Sequence, residues 1–240
     1  MYSIKTKKLT KKFKDKVAVD GIDLQIKNGE LFALLGINGA GKTTTIKMLS
    51  GLILPTSGDI EIENMDIKKD IFKIKEILNV SPQETAIAPN LTVKENLDFM
   101  AGVYQISHKE EKINELIKKF KLEEILNKRA KTLSGGWQRR LSIAISLINE
   151  PKILFLDEPT LGLDVIARKE LWKVINELKG KITIILTTHY MEEAESLADR
   201  IGIMANGKLV DVGTSKELIK KTKTNNFEDA FVSIATGGEL

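Results

Sequence analysis

Residues 31–44 have the sequence Leu31-Phe-Ala-Leu-Leu-Gly36-Ile-Asn38-Gly39-Ala40-Gly41-Lys42-Thr43-Thr44. Five consecutive apolar residues are typical of a short strand that is buried on both faces of a parallel sheet. The loop after them fits the pattern G-x-x-x-x-G-K-[ST] and leads into a helical pattern that ends near Gly51. Glycines leave main-chain N–H groups free to surround anionic oxygens, and a helix N-terminus adds a favourable dipole. The stretch therefore predicts a phosphate-binding loop rather than an ordinary glycine-rich turn.

The residues of this loop have expected roles in holding a nucleoside triphosphate. Lys42 is expected to reach the β- and γ-phosphates, and the hydroxyl of Thr43 is expected to bind Mg²⁺. The nucleotide-binding residues predicted in this segment are Gly36, Asn38, Gly39, Ala40, Gly41, Lys42, Thr43 and Thr44.

A second candidate site follows another apolar run, Ile153-Leu-Phe-Leu-Asp157-Glu158-Pro159. Carboxylates at the carboxyl end of a buried parallel strand lie where ligands bind in open α/β sheets. Asp157 is expected to hold Mg²⁺, directly or through water, and Glu158 to act as general base on the attacking water. A strand that ends in a solvated acidic turn is the alternative, which the presence of a phosphate loop disfavours.

The remaining pattern indicates an α/β fold with a mostly parallel sheet. Residues 182–186 form a third apolar run, residues 60–62 alternate as in a half-exposed antiparallel strand, and residues 201–212 surround the hairpin dipeptide Asn206-Gly207. From about Glu84 to Ile148 helical patterns dominate. The segments Thr92–Glu95, Ser107–Glu110 and Thr214–Glu217 all fit the capping box S/T-x-x-E and predict helix N-termini.

Composition excludes several kinds of chemistry. The chain has 240 residues, no cysteine, two histidines and a formal net charge of +4. Disulfides, thiol catalysis and thiolate metal sites are excluded, and a metal site built from histidines is disfavoured. No apolar stretch approaches the about 20 residues that a spanning helix needs, and the start lacks the apolar segment of a secretory signal. We therefore expect a soluble intracellular protein or a peripheral subunit without direct membrane insertion.

The segment Leu133-Ser134-Gly135-Gly136-Trp137-Gln138 decides between families. Ser134 is a good N-cap for a helix that is expected to run to Ile148, and the two glycines leave N–H groups free for a second anion site. Together with the phosphate loop and the paired acids, the segment resembles the LSGGQ signature of the nucleotide-binding subunits of ABC transporters. Trp137 stands where the family's signature usually has glutamine.

This resemblance covers essentially the whole chain and implies its organisation. It implies a P-loop ATPase core with a mostly parallel sheet, an antiparallel β subdomain and an inserted helical subdomain. Residues 1–240 would form a single ABC ATPase domain. Residues 1–83 and 151–213 would be the nucleotide-binding core, residues 84–150 the helical subdomain with the signature, and residues 214–240 a C-terminal helical segment.

The resemblance also implies further site residues. Gln83 resembles the Q-loop glutamine, which reaches the metal and the water, and His189 resembles the switch histidine at the γ-phosphate. Asp164 resembles the D-loop aspartate at the interface between subunits. Phe13 resembles the aromatic residue that stacks on adenine, with an edge-strand hydrophobe as the alternative. The signature residues Ser134, Gly135 and Gly136 would bind the nucleotide of the other subunit, so ATP and Mg²⁺ are the implied cofactors.

The implied function is ATP hydrolysis that powers export through a separate integral membrane permease. Residues 187–195 and 226–231 resemble the branch of the family that exports drugs, antibiotics, lipids, polysaccharides or sodium. ATP would drive head-to-tail pairing of two copies, or of this chain with a paralogue. The chain would be cytoplasmic and peripheral on the inner face of the cell membrane.

Two other functions are alternatives to this one. A non-transport ABC ATPase that acts on a soluble assembly remains open at this point. The lysines between Lys5 and Lys16 are interleaved with acids and accompany no nucleic-acid motif, so we interpret them as a solvated face and expect no nucleic-acid partner. Likewise, Glu192, Glu193 and Glu195 are interpreted as a solvated helix face, and His108 as a surface residue.

Overall fold

The computed structural model describes residues 1–238. The ten strands of this part of the chain are β1 (Tyr2–Phe13), β2 (Lys16–Lys27), β3 (Leu31–Leu35), β4 (Ser57–Ile62), β5 (Met65–Asp66), β6 (Leu78–Ser81), β7 (Ile153–Asp157), β8 (Thr183–Thr188), β9 (Arg200–Ala205) and β10 (Lys208–Gly213). Its nine α-helices are α1 (Lys42–Leu49), α2 (Ile71–Ile77), α3 (Val93–Val103), α4 (Lys109–Phe120), α5 (Gly135–Ser146), α6 (Val165–Leu178), α7 (Met191–Leu197), α8 (Ser215–Thr222) and α9 (Phe227–Thr236).

The strands form two sheets. Four of them make an antiparallel sheet in the order β2-β1-β4-β5, and six make a sheet in the order β10-β9-β3-β8-β7-β6. In the larger sheet only the β9–β10 pair is antiparallel, and this pair is the hairpin that Asn206-Gly207 predicts. The expected class is confirmed: an α/β fold with a mostly parallel sheet, an antiparallel β sheet and a group of helices inserted between β6 and β7.

The larger sheet is buried on both faces, as its continuous apolar strands require. Along β7, Leu154 and Leu156 face a core that they share with helices α3 to α6. Ile153 and Phe155 face the opposite core, which they share with α1 and the antiparallel sheet. The inserted helices therefore cover one face of the sheet, and the antiparallel sheet covers the other.

Two of the three predicted capping boxes are present at helix N-termini, and one is not. Thr92 and Thr214 each form a complete capping box, with Glu95 and Glu217 respectively. The capping box predicted at Ser107–Glu110 is wrong, because α4 begins at Lys109 and His108 occupies the N-cap position without a side-chain cap. This later start removes Glu110 from the third helical position, where its side chain could return to the cap.

Helix ends differ from expectation by small amounts. Helix α1 ends at Leu49 rather than near Gly51, and α5 ends at Ser146 rather than Ile148. Among the helices of residues 1–238, none combines the length and apolar character that a membrane span requires.

Candidate functional site

Three neighbouring strands of the larger sheet end at the same edge. In the parallel register, Leu35 at the end of β3 pairs with Thr188 at the end of β8, and Asp157 at the end of β7 pairs with Thr187. The phosphate loop and His189 directly follow the ends of β3 and β8, and the paired acids lie at the end of β7. The sheet topology, rather than proximity in sequence, brings the predicted groups together.

The phosphate loop has the backbone geometry that its glycines predict. Gly41 has φ 102°, and a Cβ there would lie 2.5 Å from the main-chain oxygen of Ala18. A Cβ on Gly36 would lie 2.5 Å from the main-chain oxygen of Met204. Within residues 1–238, the main-chain N–H groups of Gly39 and Gly41 donate to no other main-chain group. The loop therefore offers free donors at the N-terminus of α1, where an anion is favoured.

Lys42 lies inside this loop with its ammonium group directed at main-chain oxygens. Its Nζ atom donates to the oxygen of Gly36 at 2.7 Å and to that of Ile37 at 3.2 Å, and it lies 3.6 Å from Oε1 of Glu158. Burial lowers the pKa of Lys42, and the nearby charge of Glu158 opposes this change. The ammonium is thus held at the centre of the loop, where phosphate oxygens could replace the carbonyls as acceptors.

The carboxylate of Asp157 and the hydroxyls of Thr43 and Thr187 form a small cluster of oxygen atoms. The Oδ1 atom of Asp157 accepts a hydrogen bond from Thr43 at 3.2 Å and another from the hydroxyl of Thr187. A hydroxyl and a carboxylate are hard oxygen ligands, and Mg²⁺ commonly takes only one or two protein ligands beside phosphates and water. The donor set at Thr43 and Asp157 therefore fits Mg²⁺.

Glu158 is held in an uncommon backbone conformation. Its φ of 47° lies in the left-handed region, where non-glycine residues are rare outside strained or functional positions. Its main-chain N–H group donates to both the oxygen and the hydroxyl of Thr187. Its Oε2 atom lies 3.3 Å from Nδ1 of His189, while Oε1 faces Lys42. The carboxylate is thus placed between a lysine and a histidine at the sheet edge.

A cavity of about 580 Å³ collects most of the predicted nucleotide-site residues. Its walls include Phe13 and Lys16 from the β1–β2 hairpin, the phosphate loop from Asn38 to Thr44, Gln83, Glu158, Leu161 and His189. The Phe13 side chain is 48% exposed, and the ammonium of Lys11 lies 5.1 Å from the centre of its ring. An exposed aromatic ring beside a phosphate loop is available for stacking on a base.

The signature residues lie in a different cavity. Ser134, Gly135, Gly136 and Trp137 line a cavity of about 480 Å³ together with the loop that contains Asp164. Ser134 occupies the N-cap position of α5 without a side-chain cap, so its hydroxyl is not used within the helix. Asp164 caps α6 by accepting from the N–H groups of Ile166 and Ala167. Neither Ser134 nor Asp164 lines the cavity of the phosphate loop.

A larger cavity, of about 820 Å³, lies on the antiparallel sheet. Its charged side chains include pairs with one another, such as Lys5 with Glu61 at 2.6 Å. None of the predicted nucleotide-site residues lines this cavity, so we do not assign nucleotide binding or ATP hydrolysis to it.

Sequence reasoning missed several residues that organise the site. Arg139, on α5, donates from its guanidinium to the main-chain oxygens of Pro82, Gln83 and Glu158. Thr187 fixes both Asp157 and Glu158, and Lys16 lines the nucleotide cavity. The position of Thr187 at the end of an apolar run was a usable signal for a site residue, whereas no local pattern marks Arg139.

The interpretation of Glu192, Glu193 and Glu195 as a solvated face is wrong for one of them. Glu193 is 0% exposed, whereas its two neighbours are exposed. Helical geometry explains the difference, because Glu193 lies on the same face of α7 as the buried Ala194 and Leu197.

Comparison with known proteins identifies the family. The family model described as "ABC transporter" matches residues 19–161. The probable multidrug ABC transporter ATP-binding protein YbhF of Escherichia coli is 42% identical over 239 residues, which are 96% of this chain and 41% of that protein. The human phospholipid-transporting ATPase ABCA3 is 44% identical over 224 residues, which are 91% of this chain and 13% of that protein. The chain thus spans less than half the length of these relatives.

Solved structures show the same fold. An ATP-binding subunit of an ABC transporter superposes with a TM-score of 0.87 at 28% identity, covering 96% of this chain and 98% of that one. The dimeric cassette MJ0796, in a post-hydrolysis state bound to ADP and Pi, superposes with a TM-score of 0.80 at 27% identity, covering 88% and 98%. This chain therefore belongs to the ABC transporter family, as one of its ATP-binding and ATP-hydrolysing cassettes.

Proposed function

We propose that this chain is the ATPase subunit of an exporter, that it works as a head-to-tail pair, and that it drives a separate integral membrane permease. The observation that carries the proposal is the position of the signature. Ser134, Gly135 and Gly136 offer anion-binding groups, yet they line a cavity separate from that of the phosphate loop. In a head-to-tail pair, the signature of each subunit would complete the nucleotide site of the other.

Each residue of the phosphate-loop half-site then has a role. The loop N–H groups and Lys42 bind the phosphates, and Lys42 exchanges its contacts with the oxygens of Gly36 and Ile37 for phosphate oxygens. Phe13 stacks on the adenine ring. Glu158 accepts a proton from the attacking water, and His189, 3.3 Å from Glu158, faces the terminal phosphate.

Thr43 and Asp157 are the residues that would hold Mg²⁺, and Gln83 would approach it from the cavity wall. When bound, Mg²⁺ neutralises charge on the phosphate oxygens. The hydroxyls of Thr43 and Thr187 both donate to Oδ1 of Asp157 and orient its carboxylate.

The second subunit contributes through the signature and the D-loop. Asp164 and Ser134 lie on one surface of this chain and would face the nucleotide held by the partner. Both half-sites are present in this chain, which favours two identical copies over pairing with a paralogue. The similar cassette MJ0796, whose structure is dimeric and bound to ADP and Pi, supports pairing of two subunits.

Coupling to transport is assigned to the helices between β6 and β7. We divide the chain into a nucleotide-binding core (residues 1–83 and 151–213), a helical subdomain (84–150) and a C-terminal helical segment (from 214). Residues 239 and 240 of that last segment lie outside the described structure. Closure of the pair would move the helical subdomains against a permease on the inner face of the membrane. The name of the E. coli relative, a probable multidrug transporter protein, supports export as the direction.

The test is recovery of the permease. Tagged Glu158→Gln, which should bind ATP and hydrolyse it slowly, is purified from detergent-solubilised native membranes with Mg-ATP and analysed by mass spectrometry. The matched control is Glu195→Gln, a substitution of the same type at an exposed position. We expect a stoichiometric multi-helix membrane protein with Glu158→Gln, in larger yield than with the control.

Recovery from the soluble fraction alone would contradict this proposal. In that case soluble partners, or none, would accompany the chain, and a non-transport ABC ATPase that acts on a soluble assembly would be the better assignment.

A further inference from the structure

Glu193 is a buried carboxylate whose hydrogen bonds reach two other segments. It lies on α7, four residues after His189, and is 0% exposed. Its Oε1 atom accepts from the hydroxyl of Thr160 at 2.8 Å and from Nε1 of Trp172 at 3.0 Å. Its Oε2 atom is buried and has no hydrogen-bond partner within residues 1–238.

Thr160 belongs to the loop that connects the two cavities. It follows Glu158 by two residues and precedes the D-loop residue Asp164 by four. The main-chain N–H group of Leu161 donates to the oxygen of Glu158, and that of Leu163 donates to the oxygen of Thr160. Leu161 lines the phosphate-loop cavity, whereas Leu163 lines the signature cavity. The hydroxyl of Thr160 therefore fixes a short segment that contributes to both cavities.

A carboxylate is a costly choice for this position if packing alone is required. A buried carboxylate with one unpaired oxygen is unfavourable compared with a neutral or apolar side chain of similar volume. Its charge is favoured by Arg168 and Arg139, and, unlike an apolar residue, it accepts from Thr160 and Trp172 at the same atom. The cost therefore indicates a role in fixing the relative position of the segments that it joins.

We propose that Glu193 is a positioning residue for ATP hydrolysis, which holds the loop from Glu158 to Asp164 against the helix that follows His189. The proposal rests on the assignment of Glu158 and His189 to hydrolysis. The loop and the histidine segment keep one relative position because a single buried oxygen of Glu193 joins them. If the link is lost, each segment can move without the other.

The first test measures this coupling without any nucleotide. Hydrogen–deuterium exchange is compared in the wild type and in Thr160→Val, which removes the hydroxyl but keeps the shape of the side chain. We expect exchange to accelerate about fivefold or more both in residues 158–164 and in residues 189–197, the latter being remote in sequence from the substitution. Thr160→Ser, which retains the donor, should behave like the wild type.

Glu195→Gln is the matched control, because Glu195 lies on the same helix with its side chain bonded to Ser215 at the surface. It should leave exchange in residues 158–164 unchanged. If Thr160→Val accelerates exchange only in its own loop, the two segments are not coupled and the proposal is overturned. If the valine variant does not fold, Thr160→Ser provides the test. Exchange as slow as in the wild type supports the link, and faster exchange overturns it.

The second test uses steady-state ATPase kinetics of Thr160→Val and Glu193→Gln. We expect kcat to fall about tenfold in Thr160→Val, with KM for ATP within about twofold of the wild type, because the phosphate-binding groups are untouched. Glu193→Gln, which keeps an acceptor for Thr160, should lose less. A wild-type kcat in a folded Thr160→Val would overturn the proposal. If the wild type itself neither binds nor hydrolyses ATP, the proposed function fails, while the exchange experiment still decides whether Glu193 joins the two segments.

Discussion

The Nη2 atom of Arg139 lies 2.9 Å from the main-chain oxygen of Glu158, and it donates to the oxygen of Gln83 at the same distance. Arg139 is on α5, five residues after Ser134 of the signature. One guanidinium therefore joins the helix of the signature, the Q-loop and the segment of the expected general base. Burial lowers the pKa of Arg139, and the charges of Asp157, Glu193 and Glu158 oppose this change.

Arg139→Lys should impair hydrolysis more than nucleotide binding. Lysine keeps the charge but cannot bridge three main-chain oxygens with a planar fork of donors. We expect the free energy of unfolding to fall by about 2 kcal/mol, because hydrogen bonds to a buried charged group are lost. Urea denaturation and ATPase assays measure the two effects, with the exposed Arg129→Lys as control. Equal effects of both substitutions would contradict a role for the Arg139 bridge.

Glu158→Gln should separate binding from hydrolysis. The amide keeps the size of the side chain but cannot accept a proton from water, so kcat should fall between about a hundredfold and about ten-thousandfold. ATP should remain bound and hold two subunits together, and sizing chromatography with Mg-ATP should show a dimer. A variant that stays monomeric under saturating Mg-ATP would speak against the head-to-tail pair. Glu195→Gln should hydrolyse ATP at the wild-type rate.

Phe13→Ala tests whether the ring stacks on the base or only covers an edge strand. Loss of one base–aromatic stack should raise the Kd for ATP about tenfold, whereas Phe13→Tyr should change it less than about twofold. The control is Val17→Ala, which truncates another exposed apolar side chain of the same hairpin. An unchanged Kd for Phe13→Ala, measured by titration calorimetry, would favour the edge-strand alternative.

Because Glu193 is buried, we expect its ionisation to lower the free energy of unfolding as the pH rises. Burial raises the pKa of its carboxyl group, and its hydrogen bonds and the charge of Arg168 oppose this change. The folded state therefore binds the proton more tightly than the unfolded state does, and stability from this group is lost as pH rises through the folded-state pKa. Glu193→Gln lacks this titration.

The measurement is the free energy of unfolding of both proteins between about pH 5 and about pH 8.5. The wild type should become less stable relative to Glu193→Gln as the pH rises. A difference that stays constant, or that changes in the opposite direction, would show that burial does not control the titration of Glu193.

Much of the site follows from residues that are adjacent in the chain. The phosphate loop needs only the apolar run before it and glycines at fixed spacing, because its conformation depends on local φ values such as that of Gly41. The buried strands were also predictable from adjacent residues, because a continuous apolar run is typical of a strand that is covered on both faces of the sheet. The capping boxes at Thr92 and Thr214 form because their partners lie three residues away.

The capping box at Ser107 shows the limit of such local reasoning. The sequence fits the motif, but packing of α4 through Ile113, Leu116 and Phe120 is compatible with a start at Lys109. A motif that needs one particular helix start is lost when the start moves by one residue, here from His108 to Lys109. Local patterns thus predict that an element exists better than they predict its first residue.

The sequence by itself determined the phosphate loop, the paired acids, the signature and the order of strands and helices, because each depends on neighbours in the chain. Only the tertiary structure decided that Arg139 reaches Glu158, that Glu193 is buried against Thr160 and Trp172, and that Ser134 lies away from Lys42. These relationships join elements that are far apart in sequence. Burial and hydrogen bonding between such elements depend on how the sheet and helices pack, which residue spacing along one element does not specify.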